Sequence, residues 1–390
     1  MMHAINNKKS SVDYMILTLL VALVIISVIA IYSGSGQYTN SDPYYFARRQ
    51  LMWYIVSFGI MIAVARFDYE LLEKWAIYLY IFGVMLLLYV KFFGVTTKGS
   101  QRWIDLKFMD FQPSEVMKIF IVLYLAAVLK KYGTEKLSFK KSIPVVLKTM
   151  VITLIPFYLI LKQPDLGSAL LIAVTALGIL FISNTNYKMI LLILFMMVAG
   201  SSLLFYLFNY HQELVSPYLE SHQMGRINSW LNPSEYTLNY SYQVKNALVG
   251  IGSGQFTGAG FNQGYQVQTG RVPEAHTDFV FAVIGEEFGF VGSSIVILLY
   301  FLLIYRILSI ALKANNVFGS YICVGVIILI AFQVFQNIGM TISLMPVTGI
   351  ALPFISYGGS ALITNMIALG LVQSINRETK EYMFSSTQYE

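Results

Sequence analysis

Ten long apolar runs constrain this chain more than anything else in it. They are Met15–Tyr32, Leu51–Ala65, Trp75–Val90, Val116–Leu129, Ile143–Leu161, Leu166–Ile182, Met189–Phe208, Phe290–Tyr305, Tyr321–Ile342 and Ala361–Ile375. A helix of about 20 apolar residues crosses the ~30 Å hydrocarbon core of a bilayer and satisfies its own backbone there. Several runs are short by themselves and must extend into their flanks. The expected fold class is all-α: a polytopic membrane protein of about ten transmembrane helices, with residues 1–390 forming one integral membrane domain. Ten is an even number, so both termini are expected on one side. No internal repeat recurs at a fixed period.

Composition agrees. The chain is 57% hydrophobic and 12% charged, against about 25% charged in soluble domains. Its formal net charge of +6 is spread through short loops, which fits the positive-inside rule and not a nucleic-acid partner. The basic cluster Lys130, Lys131, Lys136, Lys140, Lys141 and Lys148 marks one loop as cytoplasmic. With it go Lys188, Arg306, Lys313, Arg377 and Lys380. Arg48, Arg49, Lys98, Arg102, Lys107, Lys118, Lys162, Arg226, Lys245 and Arg271 then lie on the outer side. Cations there are candidates for holding an anionic ligand. The N-terminal charged stretch before Met15 has the shape of a signal peptide, but its apolar part is long and no A-x-A site follows. It reads as an uncleaved first span. The sole cysteine, Cys323, excludes an internal disulfide and a thiolate zinc cluster. The four histidines, at 3, 211, 222 and 276, have no HExxH spacing. No dedicated cofactor is implied. An oxygen-ligated divalent cation, Mg or Mn, held by acids and a substrate phosphate, stays open.

The stretch Arg271–Phe290 gathers Glu274, His276, Asp278, Glu286 and Glu287 where a long polar loop, 209–277, enters an apolar run. Acids at a membrane edge are costly unless solvated, paired or used. If 278–290 is helical, Asp278 and Glu286 lie about 80° apart on it. Read plainly, Asp278 is a helix N-cap or first-turn acid; read chemically, it is a carboxylate facing a site. The loop keeps Trp230, Leu231, Tyr242 and Phe256, as a folded extracellular cap would. Its glycine-rich part, Gly250–Gly270, lacks the GKS or GKT ending of a phosphate loop and suits tight turns on the membrane surface. In Gly99–Lys118, charged and apolar residues alternate as in a half-buried hairpin or an interfacial segment, and Pro113 starts a helix with Ser114 and Glu115 in its first turn. Glu115 and Lys118 can pair at i,i+3. Arg102 and Lys118 could instead line an anion site. Asp165, after Pro164, reads as an N-cap or as a carboxylate in a central cavity. The uncharged stretch Met345–Ser360 is broken by Pro346, Gly349, Pro353, Gly358 and Gly359, so it is expected to line a cavity or re-enter. Gln333, Gln336 and Asn337 on the preceding run serve as interhelical hydrogen-bond glue.

These residues resemble a known family. Arg102-Trp103-Ile104, Gln112-Pro113-Ser114-Glu115, Asp165-Leu166-Gly167, Pro273–Phe279, Gly285-Glu286-Glu287 and Pro353–Ser360 are similar to the signature of the SEDS proteins: RodA, FtsW and SpoVE. The match spans nearly the whole chain, in family order. Asn337-Ile338-Gly339-Met340 and Gly260–Gln266 favour the RodA side, although Tyr265 stands where a Thr is expected. The resemblance implies a bacterial plasma-membrane peptidoglycan glycosyltransferase with cytoplasmic termini. Such an enzyme polymerises lipid II into glycan strands for elongation and cell shape. It works beside a class B penicillin-binding protein, a transpeptidase, and other membrane proteins of the elongation complex. The family's catalytic aspartate falls on Asp278. Its cavity residues fall on Arg102, Glu115, Lys118, Asp165 and Glu274, with His276 and Ser356 as further substrate-binding candidates.

The residue types suit that chemistry. A sugar hydroxyl needs a base to take its proton, and a departing diphosphate needs cations. A lipid II flippase would also line a cavity with polar groups, and a non-catalytic cell-wall scaffold needs no base at all. Acids gathered at the outer mouth favour the enzyme.

Overall fold

The computed structural model describes residues 12–38, 42–97, 100–107, 110–133, 135–211, 213, 221–231 and 240–379. His3, Lys98, Gly99 and Lys380, named above, lie outside them, as do parts of the long loop. Every apolar run falls on a helix: α1 (Tyr14–Ser35), α2 (Tyr45–Arg66), α3 (Leu71–Phe93), α4 (Pro113–Lys130), α5 (Phe139–Leu161), α6 (Leu166–Ile182) and α7 (Tyr187–Tyr210). The long loop contributes α8 (Ser221–Leu231), α9 (Tyr240–Gly254) and the short α10 (Tyr265–Gln268). The chain closes with α11 (Val280–Lys313), α12 (Val317–Thr341) and α13 (Gly359–Glu378).

Six helices, α1, α3, α5, α7, α11 and α12, are long and apolar enough to cross a membrane by length and composition alone. The other long ones are shorter or more polar for a physical reason. α4 packs against α3, α5, α6, α12 and α13 and buries most of its residues, Glu115 and Lys118 included. A helix surrounded by protein need not present an apolar face to lipid. Small residues bring the central helices close. A Cβ on Gly325 of α12 would stand 2.5 Å from Val122 of α4, and one on Gly370 of α13 would stand 2.8 Å from the Met61 carbonyl of α2. Membrane helices use this device to pack without a hydrophobic driving force between them.

Both ends of the described chain meet at one end of the bundle. The Asp13 carboxylate caps α1 at Ile16 N (3.2 Å) and takes a 2.6 Å bond from Arg306 Nε. Its backbone N–H donates to Gln373 on α13 at 2.9 Å. Glu73 pairs there with Lys130 at 2.5 Å. At the opposite end a three-stranded antiparallel sheet, β1 (Val95–Thr97), β2 (Ser100–Asp105) and β3 (Asp110–Phe111), leads into α4. This is the hairpin expected from the alternating charges, with Ile104 paired to Phe111.

α11 is two helices in register. Gly289 has φ 62° and ψ −155°, open only to a residue without a side chain. The break strands carbonyls before it and N–H groups after it. Residues 255–260 take two of each: Ala259 N and Gly260 N donate to the Glu286 and Glu287 carbonyls (2.9 and 3.1 Å), while Phe290 N and Val291 N donate to the Gln255 and Phe256 carbonyls (2.9 and 3.2 Å). The glycine-rich stretch therefore differs in part from the expectation of turns. Gly250, Gly252 and Gly254 lie on α9, and a Cβ on Gly254 would stand 2.1 Å from the Gly285 carbonyl. Glycine is needed there for close packing on α11.

Candidate active site

Between α12 and α13, residues 342–358 form no helix, as their prolines and glycines lead one to expect. Exposed carbonyls in a membrane protein must find donors. Side chains from five helices supply them. Ser27 of α1 donates to the Ile355 carbonyl (2.7 Å), and Tyr54 of α2 and Tyr300 of α11 to those of Phe354 and Pro353. Gln336 of α12 reaches the Pro346 carbonyl at 3.2 Å. Arg226 of α8 donates through Nη1 to the Thr348 carbonyl at 3.2 Å. Asn337 Nδ2 lies 2.8 Å from both the Ile350 and the Asp278 carbonyl oxygens. The glutamine and asparagine read as interhelical glue thus pin this segment, and Asn337 fixes it to the backbone of Asp278.

Asp278 itself is not an N-cap. Phe279 caps α11, which starts at Val280 and not at 278. Residues 273–279 are successive turns. Glu274, at φ 56°, turns its carbonyl to accept from Thr277 N and Phe279 N, both at 3.1 Å. The Glu274 carboxylate takes the Thr277 hydroxyl at 2.9 Å, so it holds the turn that presents Asp278. Ser356 Oγ donates to the Thr277 carbonyl at 2.6 Å, and Tyr357 N to the His276 carbonyl at 3.0 Å. The His276 ring is buried among Tyr38, Phe46 and Tyr357, with centroids 4.6–5.8 Å away. Ser356 thus ties the turn to the non-helical segment, and the His276 ring packs beside it. Burial pushes the Tyr357 phenol above its ordinary range against the pull of Arg49, which keeps it a neutral hydroxyl.

The Asp278 carboxylate, half-buried, lies over Gly349. A Cβ on Gly349, which has φ 73°, would stand 3.3 Å from Oδ2. On the other side of the same segment, a Cβ on Gly167 would meet Ile350 at 2.8 Å and Thr348 at 3.2 Å. Thr348–Ile350 thus lies against both Asp278 and the start of α6. There Asp165 is the N-cap, accepting from Ser168 N at 3.0 Å. Its Oδ2 also takes Gln112 Nε2 at 2.9 Å and lies 3.7 Å from Arg102 Nη1. Lys118 pairs with Glu115 at 2.6 Å, both nearly fully buried. The plain readings of both acids are met: Asp165 caps α6, and Glu115 pairs with Lys118. Arg102 Nε, Glu115 Oε2, Thr348 Oγ1 and Asn337 Oδ1 are buried without a hydrogen-bond partner among the described residues. Buried polar atoms are normally satisfied, so each of these four calls for a partner that the described side chains do not supply, a water or an ion included. No group of three or more metal-ligating side chains occurs among the described residues.

A multi-pass membrane protein, then, carries a carboxylate beside a pinned non-helical segment and cations across it. The chain belongs to the FtsW/RodA/SpoVE family, whose model, described as cell cycle protein, matches residues 13–381. It is 36% identical over 372 residues to the peptidoglycan glycosyltransferase MrdB of Escherichia coli K12, covering 95% of each chain. It is 32% identical to the stage V sporulation protein E of Bacillus subtilis, over 96% of this chain and 99% of that one. Among solved structures, a chain of a peptidoglycan synthase complex that coordinates polymerization and crosslinking superposes with a TM-score of 0.77 at 27% identity, over 95% of this chain and 99% of that one. The rod shape determining protein RodA of Thermus thermophilus gives 0.66 at 26%, with the same coverage.

Proposed function

We propose that this chain is a peptidoglycan glycosyltransferase that polymerises lipid II, with Asp278 as general base. The observation carrying this reading is the Asp278 carboxylate held over Gly349, at the end of the bundle that also holds Arg102, Glu115, Lys118 and Asp165. In the proposed step the acceptor's sugar hydroxyl gives its proton to an Asp278 carboxylate oxygen. The hydroxyl oxygen then forms a bond to the donor's anomeric carbon. The bond from that carbon to the diphosphate oxygen breaks, and the diphosphate leaves with the electron pair, with inversion. Arg102 and Lys118 are assigned to the developing negative charge. A divalent ion, if used, would take most of its oxygen ligands from the substrate phosphates.

The basic end of the bundle, with Lys130, Lys131, Lys140, Lys141, Lys188 and Lys313, is assigned to the cytoplasm by the positive-inside rule. Both termini go with it, and the site end faces outward. Residues 1–390 act in this reading as one integral membrane domain. The likeness to a synthase complex that both polymerises and crosslinks supports a class B penicillin-binding protein as partner, within an elongation complex. A flippase needs polar groups along its whole path, whereas the candidate acids gather at one end.

The test uses purified full-length protein and labelled lipid II, with glycan products read on a gel. Asp278→Asn keeps the shape and removes the base. A positioned base contributes about 10²–10⁴-fold, so activity should fall by that much with the melting temperature unchanged. Polymerisation by Asp278→Asn at the wild-type rate would end the assignment.

A further inference from the structure

α5 carries a stripe in which two cations are followed by apolar side chains. Lys141 and Lys148 lie about 10 Å apart along the helix and about 20° apart around it. The same face continues toward the site end with Val151, Ile155 and Tyr158. All five side chains are exposed. Leu147, beside Lys148, is exposed too, so in a bilayer this face looks at lipid. The basic end of α5 is held in place. Asn186 N donates to Ser142 Oγ at 3.0 Å, and Leu137 N to the Asn184 carbonyl at 2.8 Å.

The depth of the stripe follows from a bond to α3. Pro156 leaves the Ile152 carbonyl without its helical N–H, and Tyr80 of α3 donates its hydroxyl there at 2.8 Å. Both helices run from the basic end toward the site end. Lys148, one turn before Ile152, is therefore level with Trp75 and Ala76, one turn before Tyr80. Trp75 and Tyr78 are exposed, as aromatic residues of the headgroup belt are. From Lys148 to Tyr158 the helix advances about 15 Å, half of the ~30 Å hydrocarbon core. The helices packed on α5 bring its lysines no unpaired acid. α6 and α7 carry none, Glu73 of α3 pairs with Lys130, and Glu115 of α4 pairs with Lys118 at the far end. The connection before α5 sets Glu135 against Lys131 and Lys136. Neither Lys141 nor Lys148 makes an ion pair with a described residue.

We propose that this stripe binds one anionic phospholipid in the leaflet at the basic end. Lys141 and Lys148 take its phosphodiester head, and an acyl chain lies along Val151, Ile155 and Tyr158. Basic residues near a membrane surface attract anionic headgroups in general. Here two of them share a face with an apolar track one leaflet long, which orients a single lipid by head and chain together. The long lysine side chains can converge on one head while their stems cover apolar surface. The site lies at the opposite end from Asp278, and neither the reaction nor its lipid-linked substrate enters it.

The test is native mass spectrometry of the purified full chain with phosphatidylglycerol and, separately, the zwitterionic phosphatidylethanolamine. Phosphatidylglycerol should be retained preferentially. Lys148→Gln should weaken its binding about fivefold, the effect of one basic residue beside an anionic headgroup. Lys148→Arg should stay within about twofold of wild type, because the charge remains. Lys148 is exposed, so both variants should melt as wild type does. Lys313→Gln removes the same charge from the end of α11 and should leave binding unchanged. Glycerol phosphate, a head without chains, should not displace the lipid. Equal retention of phosphatidylethanolamine, unchanged binding by Lys148→Gln, or displacement by glycerol phosphate overturns the proposal. Equal losses in Lys148→Gln and Lys313→Gln overturn it too, since they would mean diffuse attraction to the whole basic end.

Discussion

Asp278 illustrates what a single residue owes to its neighbours. Its carboxylate is presented by a turn that Glu274 holds through Thr277, and its carbonyl is held by Asn337. Asn337 touches neither sugar nor phosphate in the proposed step, so its role is positioning. Asn337→Leu removes the donor from two buried carbonyls, each worth about 1–3 kcal/mol when left unmade. The expected result is a loss of about 2–6 kcal/mol of stability, together with at least a tenfold fall in lipid II polymerisation. The fall should appear in the catalytic rate more than in apparent affinity. A variant that melts lower but turns over normally would show that Asn337 supports the fold without aligning Asp278. The signal for Asn337 was present in the sequence, as an amide on an apolar helix, but such amides commonly serve packing alone. Its two acceptors come from 59 and 13 residues away in sequence, and periodicity does not reveal partners.

At the scale of the element, the break in α11 organises one side of the site. The first half, Val280–Phe288, carries Glu286 and Glu287 inward. Glu286 accepts from Gln266 N and Val267 N at 2.7 and 3.0 Å, fixing α10. Glu287 accepts from Ser33 of α1 and from Gln268. Residues 255–260 insert at the break and bond two carbonyls and two N–H groups there. Gly289→Ala would force a side chain into a glycine-only conformation and bring its Cβ to 2.4 Å from Gly258 N. Strain of about 1–3 kcal/mol and overpacking of similar size combine. A drop of several degrees in the melting temperature in detergent is therefore expected. A Gly289→Ala protein as stable as wild type would mean that the two halves can rejoin as a straight helix. The apolar run from Phe290 was evident from hydropathy. The break before it was not, because a glycine inside a helical pattern gives no sign of its φ.

For the whole molecule, the bundle has a basic end and a site end, and the proposed function requires the site end to face outward. Cys323 is buried, so the native chain is a silent background for cysteine reporters. Lys141 and Gln263 are exposed at opposite ends. In spheroplasts a membrane-impermeant maleimide should label Gln263→Cys and leave Lys141→Cys unlabelled until the membrane is opened. The reverse pattern would put Asp278 on the cytoplasmic side, where an outward-facing polymerase has no use for it. The same geometry explains why α4 was legible as a span while its role was not. Its apolar run gave the helix, but only packing on five neighbours shows that Glu115 and Lys118 sit inside protein.

Hydropathy alone determined the ten helices and their order, because a lipid solvent leaves an apolar backbone one way to satisfy its own hydrogen bonds. Motif order alone singled out the carboxylates to which the proposed function assigns roles. The tertiary structure decided how they meet. Asp278 stands outside its helix and over Gly349, the non-helical segment hangs from donors on five helices, and Tyr80 sets α3 level with α5. Those contacts join residues far apart in sequence, and local propensity carries no record of a partner that the chain reaches only when it closes on itself.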